Sequence, residues 1–135
     1  MTTALDTVQR IYAAFGRGDI PAILDCLDDG VQWEAWEHNS AQAADVPWLR
    51  AGTGKAAVAA FFEVIGGFKF NDFRVHGLMA NEQQVAAEVS FDAVVPGGRH
   101  LRDEEVHLWD LNPQGKVVRF RHYLDTAKHI AAAAR

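Results

Sequence analysis

The sequence predicts an α+β fold in which a curved antiparallel sheet wraps around helices gathered in the N-terminal half. Three observations carry this. Apolar residues recur at helical spacing through the first 65 residues; after residue 67 the pattern changes to strands only; and short turn signals separate those strands. An antiparallel sheet can take helices on one face, and a curved one leaves an internal pocket against them.

Leu5, Val8, Ile11, Tyr12 and Phe15 form the stripe of a first helix, opened by the Thr2-Thr3 pair and stopped by Gly16 and Gly18. Asp19 is placed to cap a second short helix with Pro21 in its first turn, ended by Asp28-Asp29-Gly30. Residues 31–38 alternate as a strand with Glu34, Trp36 and His38 on one side. Residues 39–53 carry no period and read as a long loop that could cover a cavity mouth. Thr53 is the expected cap of a third helix bearing Val58, Phe61, Phe62 and Ile65, closed by Gly66-Gly67. Strands follow over 68–78, 85–95, 101–111 and 117–124, joined at Ala80-Asn81-Glu82, Pro96-Gly97-Gly98 and Asn112-Pro113-Gln114-Gly115. A helix over 126–134, with Asp125 as its cap, closes the chain.

At 135 residues the chain is expected to form one domain over 1–135, burying about two-thirds of its extended surface. With 49% hydrophobic and 23% charged residues it groups with soluble globular proteins. A net charge of -5 without a Lys/Arg run argues against nucleic acid or an anionic membrane as partner. The single Cys26 excludes an intrachain disulfide and CxxC sites, and no leader or membrane-length apolar run is present, so a cytoplasmic location is expected.

The last strand carries the sharpest site signal. His122 shares its apolar face with Val118, Phe120 and Leu124, while Arg119, Arg121 and Tyr123 point the other way. An imidazole there is either a buried structural hydrogen-bonder or a pocket acid–base group. Glu34 lies between Trp33 and Trp36, where an apolar setting would raise a carboxylate toward the range of a base; a solvated strand residue is the other reading. His107 alternates with Glu105 and Trp109, and Glu105 or Glu34 could orient its ring. No HxH or HExxH pairing fixes two metal ligands, so no metal is expected, although Glu34, His107 and His122 could meet as three ligands. Four tryptophans suit an apolar or aromatic small-molecule ligand.

The element order, with Tyr12-Ala13-Ala14-Phe15, Gly18-Asp19, Gly54 with Phe61-Phe62, and Gly115-Lys116-Val117-Val118 through Tyr123-Leu124-Asp125-Thr126, resembles the nuclear-transport-factor-2-like superfamily and its SnoaL-like branch. The resemblance spans nearly the whole chain and implies a cone-shaped, cystatin-like α+β barrel with an internal pocket. It hosts polyketide cyclases, ketosteroid isomerases, limonene epoxide hydrolases, dehydratases and non-catalytic binders, so a reaction does not follow from it. It implies catalytic roles for Glu34 (where the isomerases keep a base), His107 (near their protonated acid) and His122 (where cyclases and epoxide hydrolases have an aspartate). The epoxide hydrolase pattern is not met, because Glu88, Ser90 and His122 stand where an arginine between two aspartates is needed. The isomerase oxyanion tyrosine falls at Ile11, with Tyr12 about 100° around the helix.

These readings place His122, Glu34 and His107 as catalytic candidates and Trp36, Trp109, Phe120, Tyr12, Ser90 and Trp48 as substrate-binding ones, with no cofactor. The function expected is cofactor-independent acid–base chemistry (isomerase, cyclase or dehydratase) on an apolar carbonyl compound. The alternatives are a non-catalytic binder of a hydrophobic metabolite and a structural dimerisation module. The resemblance also implies a homodimer through the outer sheet face.

Overall fold

A computed structural model describes residues 3–134. The chain runs α1 (Ala4–Gly16), α2 (Ile20–Asp25), β1 (Leu27–Trp33), α3 (Ser40–Ala43), a 3-10 turn (Pro47–Leu49), β2 (Gly52–Thr53) and α4 (Lys55–Ile65). It continues through β3 (Lys69–Ala80), β4 (Gln84–Val94), β5 (His100–Leu111), β6 (Val117–Tyr123) and α5 (Thr126–Ala133). The six strands form one curved, unclosed sheet in the order β2-β1-β6-β5-β4-β3. The α+β class therefore holds. The sheet is mixed, however, because β1 pairs with β6 in parallel while the other neighbours are antiparallel.

Local chemistry explains most of the element limits. Thr3 and Asp6 close a reciprocal capping box at the start of α1, which buries Ala4, Thr7, Val8, Ile11 and Ala14 along one stripe. Asp19 caps α2 and Asp125 caps α5, each accepting a backbone N–H from three residues on. The cap of α4 is Gly54 rather than Thr53. Its φ of 91° belongs to the region that glycine tolerates, and Thr53 is engaged in β2 opposite Gln32.

The first strand is displaced from the expected 31–38 to Leu27–Trp33. Asp28-Asp29-Gly30 lies inside it as a register shift against β6 instead of a turn, and the extended run stops at Glu34, whose φ is 53°. Two further register shifts in β3, at Phe70/Asp72 and Val75/Gly77, bend the long hairpin inward.

Two apolar clusters fill the concave side. One joins α1, α2 and α4 to β1, Trp109 and Phe120; the other joins α3, the 3-10 turn and α5 to Phe91, Ala93 and Leu101. The inward face of β5 runs from one cluster to the other through Leu101, Asp103, Glu105, His107, Trp109 and Leu111, so three titratable residues lie between the two apolar masses. No helix among the described residues is long and apolar enough to cross a membrane.

Candidate functional site

Strands β5 and β6 set the site, because their antiparallel register places His107 directly opposite His122. The two rings meet edge to face with centroids 4.7 Å apart. Glu105, two residues before His107 on the same face, lies between them: its Oε1 accepts from His122 Nε2 at 2.6 Å and from His107 Nε2 at 3.3 Å. Its other oxygen accepts from His129 Nε2 at 3.0 Å. One buried carboxylate thus serves three imidazoles.

Each imidazole is held at its far nitrogen as well. Glu34 Oε1 lies 3.1 Å from His122 Nδ1, brought there by the backbone turn that ends β1. That backbone is itself fixed, because Gln42 donates to the Glu34 carbonyl and Ala35 donates to the Phe120 carbonyl. The Tyr12 hydroxyl is 2.6 Å from His107 Nδ1 and accepts from the Trp109 indole at 3.1 Å. Glu105 accepts the Nε2 proton of neutral His107, so Nδ1 keeps a lone pair and the Tyr12 hydroxyl donates to it. The Trp48 indole donates to His129 Nδ1 at 2.9 Å. Asp103 holds the other side of His129 at 2.9 Å and also accepts from the Asp125 N–H, tying the start of α5 to β5.

Protonation follows from this wiring. Burial pushes the Glu105 pKa up, but His122 and the three ring contacts outweigh it and hold the carboxyl well below its ordinary value. Burial alone would depress His122, yet Glu105 and Glu34 on either side hold it well above the usual imidazole value. Burial raises Glu34 against the pull of His122, and burial lowers His107, whose neutral form is favoured. Burial also raises the Tyr12 phenol, so it remains a hydroxyl.

An internal cavity of about 80 Å³ abuts this network, enough for a few waters or the reacting end of a small molecule. His107, His122, Glu105, His129, Tyr12, Trp109, Phe120 and Trp48 all line it, with Phe15, Phe62, Phe70 and Phe73 among the apolar walls. Most of the site candidates converge here, and Tyr12 reaches the cavity although it is offset from the isomerase tyrosine position.

Three candidates are placed otherwise. Glu34 is 3% exposed but does not line the cavity, because it stands behind His122. Trp36 lies beyond the end of β1 and packs on Tyr123, with ring centroids 5.1 Å apart, on the face opposite His122. Ser90 lies between the inward-facing Val89 and Phe91, so it points outward and bonds His76 at 2.7 Å. Neither Trp36 nor Ser90 lines this cavity.

Three residues of the network were not singled out from the sequence: Glu105 as a central acceptor, Asp103 and His129. Period two along β5 puts Asp103 and Glu105 on the His107 face, so a signal for those two was present; His129 depends on how α5 docks. For metal ligation, single donor atoms from Glu105, His107 and His122 lie within 4.8 Å of one another, as do those of Asp103, Glu105 and His129. Protons now join these atoms. In the second group the Trp48 N–H on Nδ1 opposes ligation through Nε2, which would need a proton on Nδ1.

The chain belongs to the SnoaL-like domain family, whose family model matches residues 8–120. None of the curated proteins compared with the chain matches it. Among solved structures it is similar to a nuclear-transport-factor-2-like protein of unknown function from Burkholderia pseudomallei (23% identity, all of both chains, TM-score 0.81). A candidate polyketide cyclase from Pseudomonas putida is also similar (23% identity, 99% of this chain and 100% of that one, TM-score 0.73). So is a Mycobacterium tuberculosis protein in complex with estradiol-17beta-hemisuccinate (19% identity, 95% and 98% covered, TM-score 0.75). At these identities the likeness concerns the fold.

Proposed function

We propose that the protein binds a small hydrophobic carbonyl compound and catalyses abstraction and return of a proton beside the carbonyl, without a cofactor. The observation that carries this is the facing pair His107 and His122, both lining an aromatic cavity and both directed at Glu105 Oε1. The similarity in fold to a candidate polyketide cyclase and to a protein holding a steroid derivative supports the ligand class.

In this reading neutral His122 keeps its Nδ1 proton on Glu34, gives up its Nε2 contact with Glu105 and takes the proton from carbon at Nε2, and the electron pair moves onto the carbonyl oxygen. His107 Nε2–H, held by Glu105 only at 3.3 Å, turns to hydrogen-bond the enolate. The imidazolium formed sits between Glu34 and Glu105 and returns the proton to carbon. Isomerisation, aldol-type cyclisation and dehydration all begin with that step. Glu34 is here a positioning residue, since it acts through His122.

A specific observation favours a second reading, non-catalytic binding: each ring nitrogen of His107, His122 and His129 already has a protein partner. A panel of β-keto and α,β-unsaturated carbonyl compounds in deuterated water, followed by NMR, separates the two. Catalysis predicts solvent exchange that a His122→Ala, Glu34→Gln double variant abolishes. Binding without exchange, or exchange unchanged in the double variant, overturns the catalytic reading.

We further propose a homodimer through the outer face of β5 and β6, where Arg119 and Arg121 both bond Asp110 and Val106 is 42% exposed. Light scattering at micromolar concentration tests this, and a monomer contradicts it.

A further inference from the structure

Trp48 lies 81 residues from His129 in sequence, on the 3-10 turn between β1 and β2. Its indole N–H can only donate, so the His129 Nδ1 that it meets at 2.9 Å must keep a lone pair. The ring's single proton is then on Nε2, where it is shared between Asp103 Oδ2 at 2.9 Å and Glu105 Oε2 at 3.0 Å. This leaves Glu105 Oε1 to His122 and His107.

We infer that Trp48 is a positioning residue for the proposed reaction: its N–H sets the His129 tautomer, and through His129 it fixes which Glu105 oxygen the catalytic histidines share. The inference rests on the proposed role of His107 and His122, but its physical content is a tautomer that can be read without substrate.

The groups facing His129 make the indole necessary. Asp103 and Glu105 approach from β5, and His122 from β6 with ring centroids 6.5 Å away. Burial disfavours a second proton on His129, whereas the two carboxylates favour one strongly enough to raise its pKa. An Nδ1–H would point at the Trp48 N–H, two donors without an acceptor, in a site where His129 is 1% exposed. Without that indole proton the ring is free to become an imidazolium. A new positive charge beside Glu105 would then compete with His122 for the carboxylate and lower the His122 midpoint. Trp48 also stacks edge to face on Phe68 at 5.0 Å, a contact that phenylalanine can largely keep.

The test is imidazole nitrogen NMR on histidine-labelled wild type and Trp48→Phe at neutral pH, with deuterium exchange into the carbonyl panel as a second readout. Expected in the wild type is an unprotonated Nδ1 and a protonated Nε2 on His129. Expected in the variant is an imidazolium or mixed tautomer, a lower His122 titration midpoint, and exchange slowed about tenfold by the misplaced acceptor. A wild-type His129 carrying its proton on Nδ1 overturns the inference, even if the variant fails to fold. So does a variant whose His129 tautomer and His122 midpoint both match the wild type. Failure of the proposed reaction appears separately, as no exchange in the wild type while the His129 tautomer is as stated.

Discussion

The Nε2 atom of His122 lies 2.6 Å from Oε1 of Glu105, and both side chains are almost wholly withdrawn from solvent. With Glu34 at its other nitrogen, one imidazole bridges two carboxylates, and among the described residues no Lys or Arg pairs with either. Charge in this interior is balanced by protons held on histidine. Proton position, binding and stability are therefore coupled in a single network.

Removing the central acceptor has the largest expected effect. Glu105→Gln keeps the volume but deprives three imidazole N–H groups of their anion, and breaking a buried pair in this way costs about 3–5 kcal/mol. Urea denaturation should show that loss, and the His122 midpoint should fall toward about 6.5, the ordinary imidazole value.

The dependence of stability on pH has two arms. His122 is raised in the folded state, so its stabilising contribution is complete below the unfolded value of about 6.5 and is lost as pH rises through its folded pKa. Glu105 is lowered, so its contribution is present above about 4.3 and is lost as pH falls through its folded pKa. Urea midpoints measured from acid to alkaline pH should decline at both ends, and His122→Ala should flatten the alkaline decline.

Tyr12→Phe tests the donor chain from Trp109 through Tyr12 to His107. It leaves the Trp109 N–H without its acceptor and His107 Nδ1 without its donor, at a cost of about 1–3 kcal/mol. Thermal unfolding checks the stability, and histidine nitrogen NMR should show the His107 Nδ1 signal shifted by loss of its donor while the proton stays on Nε2, toward Glu105.

Gly52 allows β2 to pass against α4, since a Cβ there would sit 2.7 Å from the Ala57 Cβ. Gly52→Ala must push α4 from the sheet edge, at a cost of about 1–3 kcal/mol by overpacking. Because Phe61 and Phe62 on α4 line the cavity, ligand affinity should fall with it, as a titration calorimetry series would show.

Much of this arrangement was legible in the sequence. The α1 stripe, the three hairpins and the apolar face bearing His122 follow from periodicity, and the period-two face of β5 already grouped Glu105 with His107. That the same carboxylate also serves His122 and His129 depends on how β6 and α5 pack against β5. The backbone turn at Glu34 has no local signature in a non-glycine residue, so periodicity alone carries the strand on to His38. His129 lies in an alanine-rich helix, and its partners Trp48 and Asp103 come from distant segments that only the packing of α5 unites. The parallel β1–β6 pairing was similarly hidden, since it joins the two ends of the chain.

The rate of deuterium exchange into a carbonyl ligand as a function of pH, for wild type and His122→Ala, measures whether His122 is the transferring base. Proton abstraction by a histidine held between two carboxylates predicts a wild-type rate that climbs through a midpoint well above 6.5 and collapses in the variant, with the fold retained. A rate that is flat with pH, or equal in the two proteins, would contradict it.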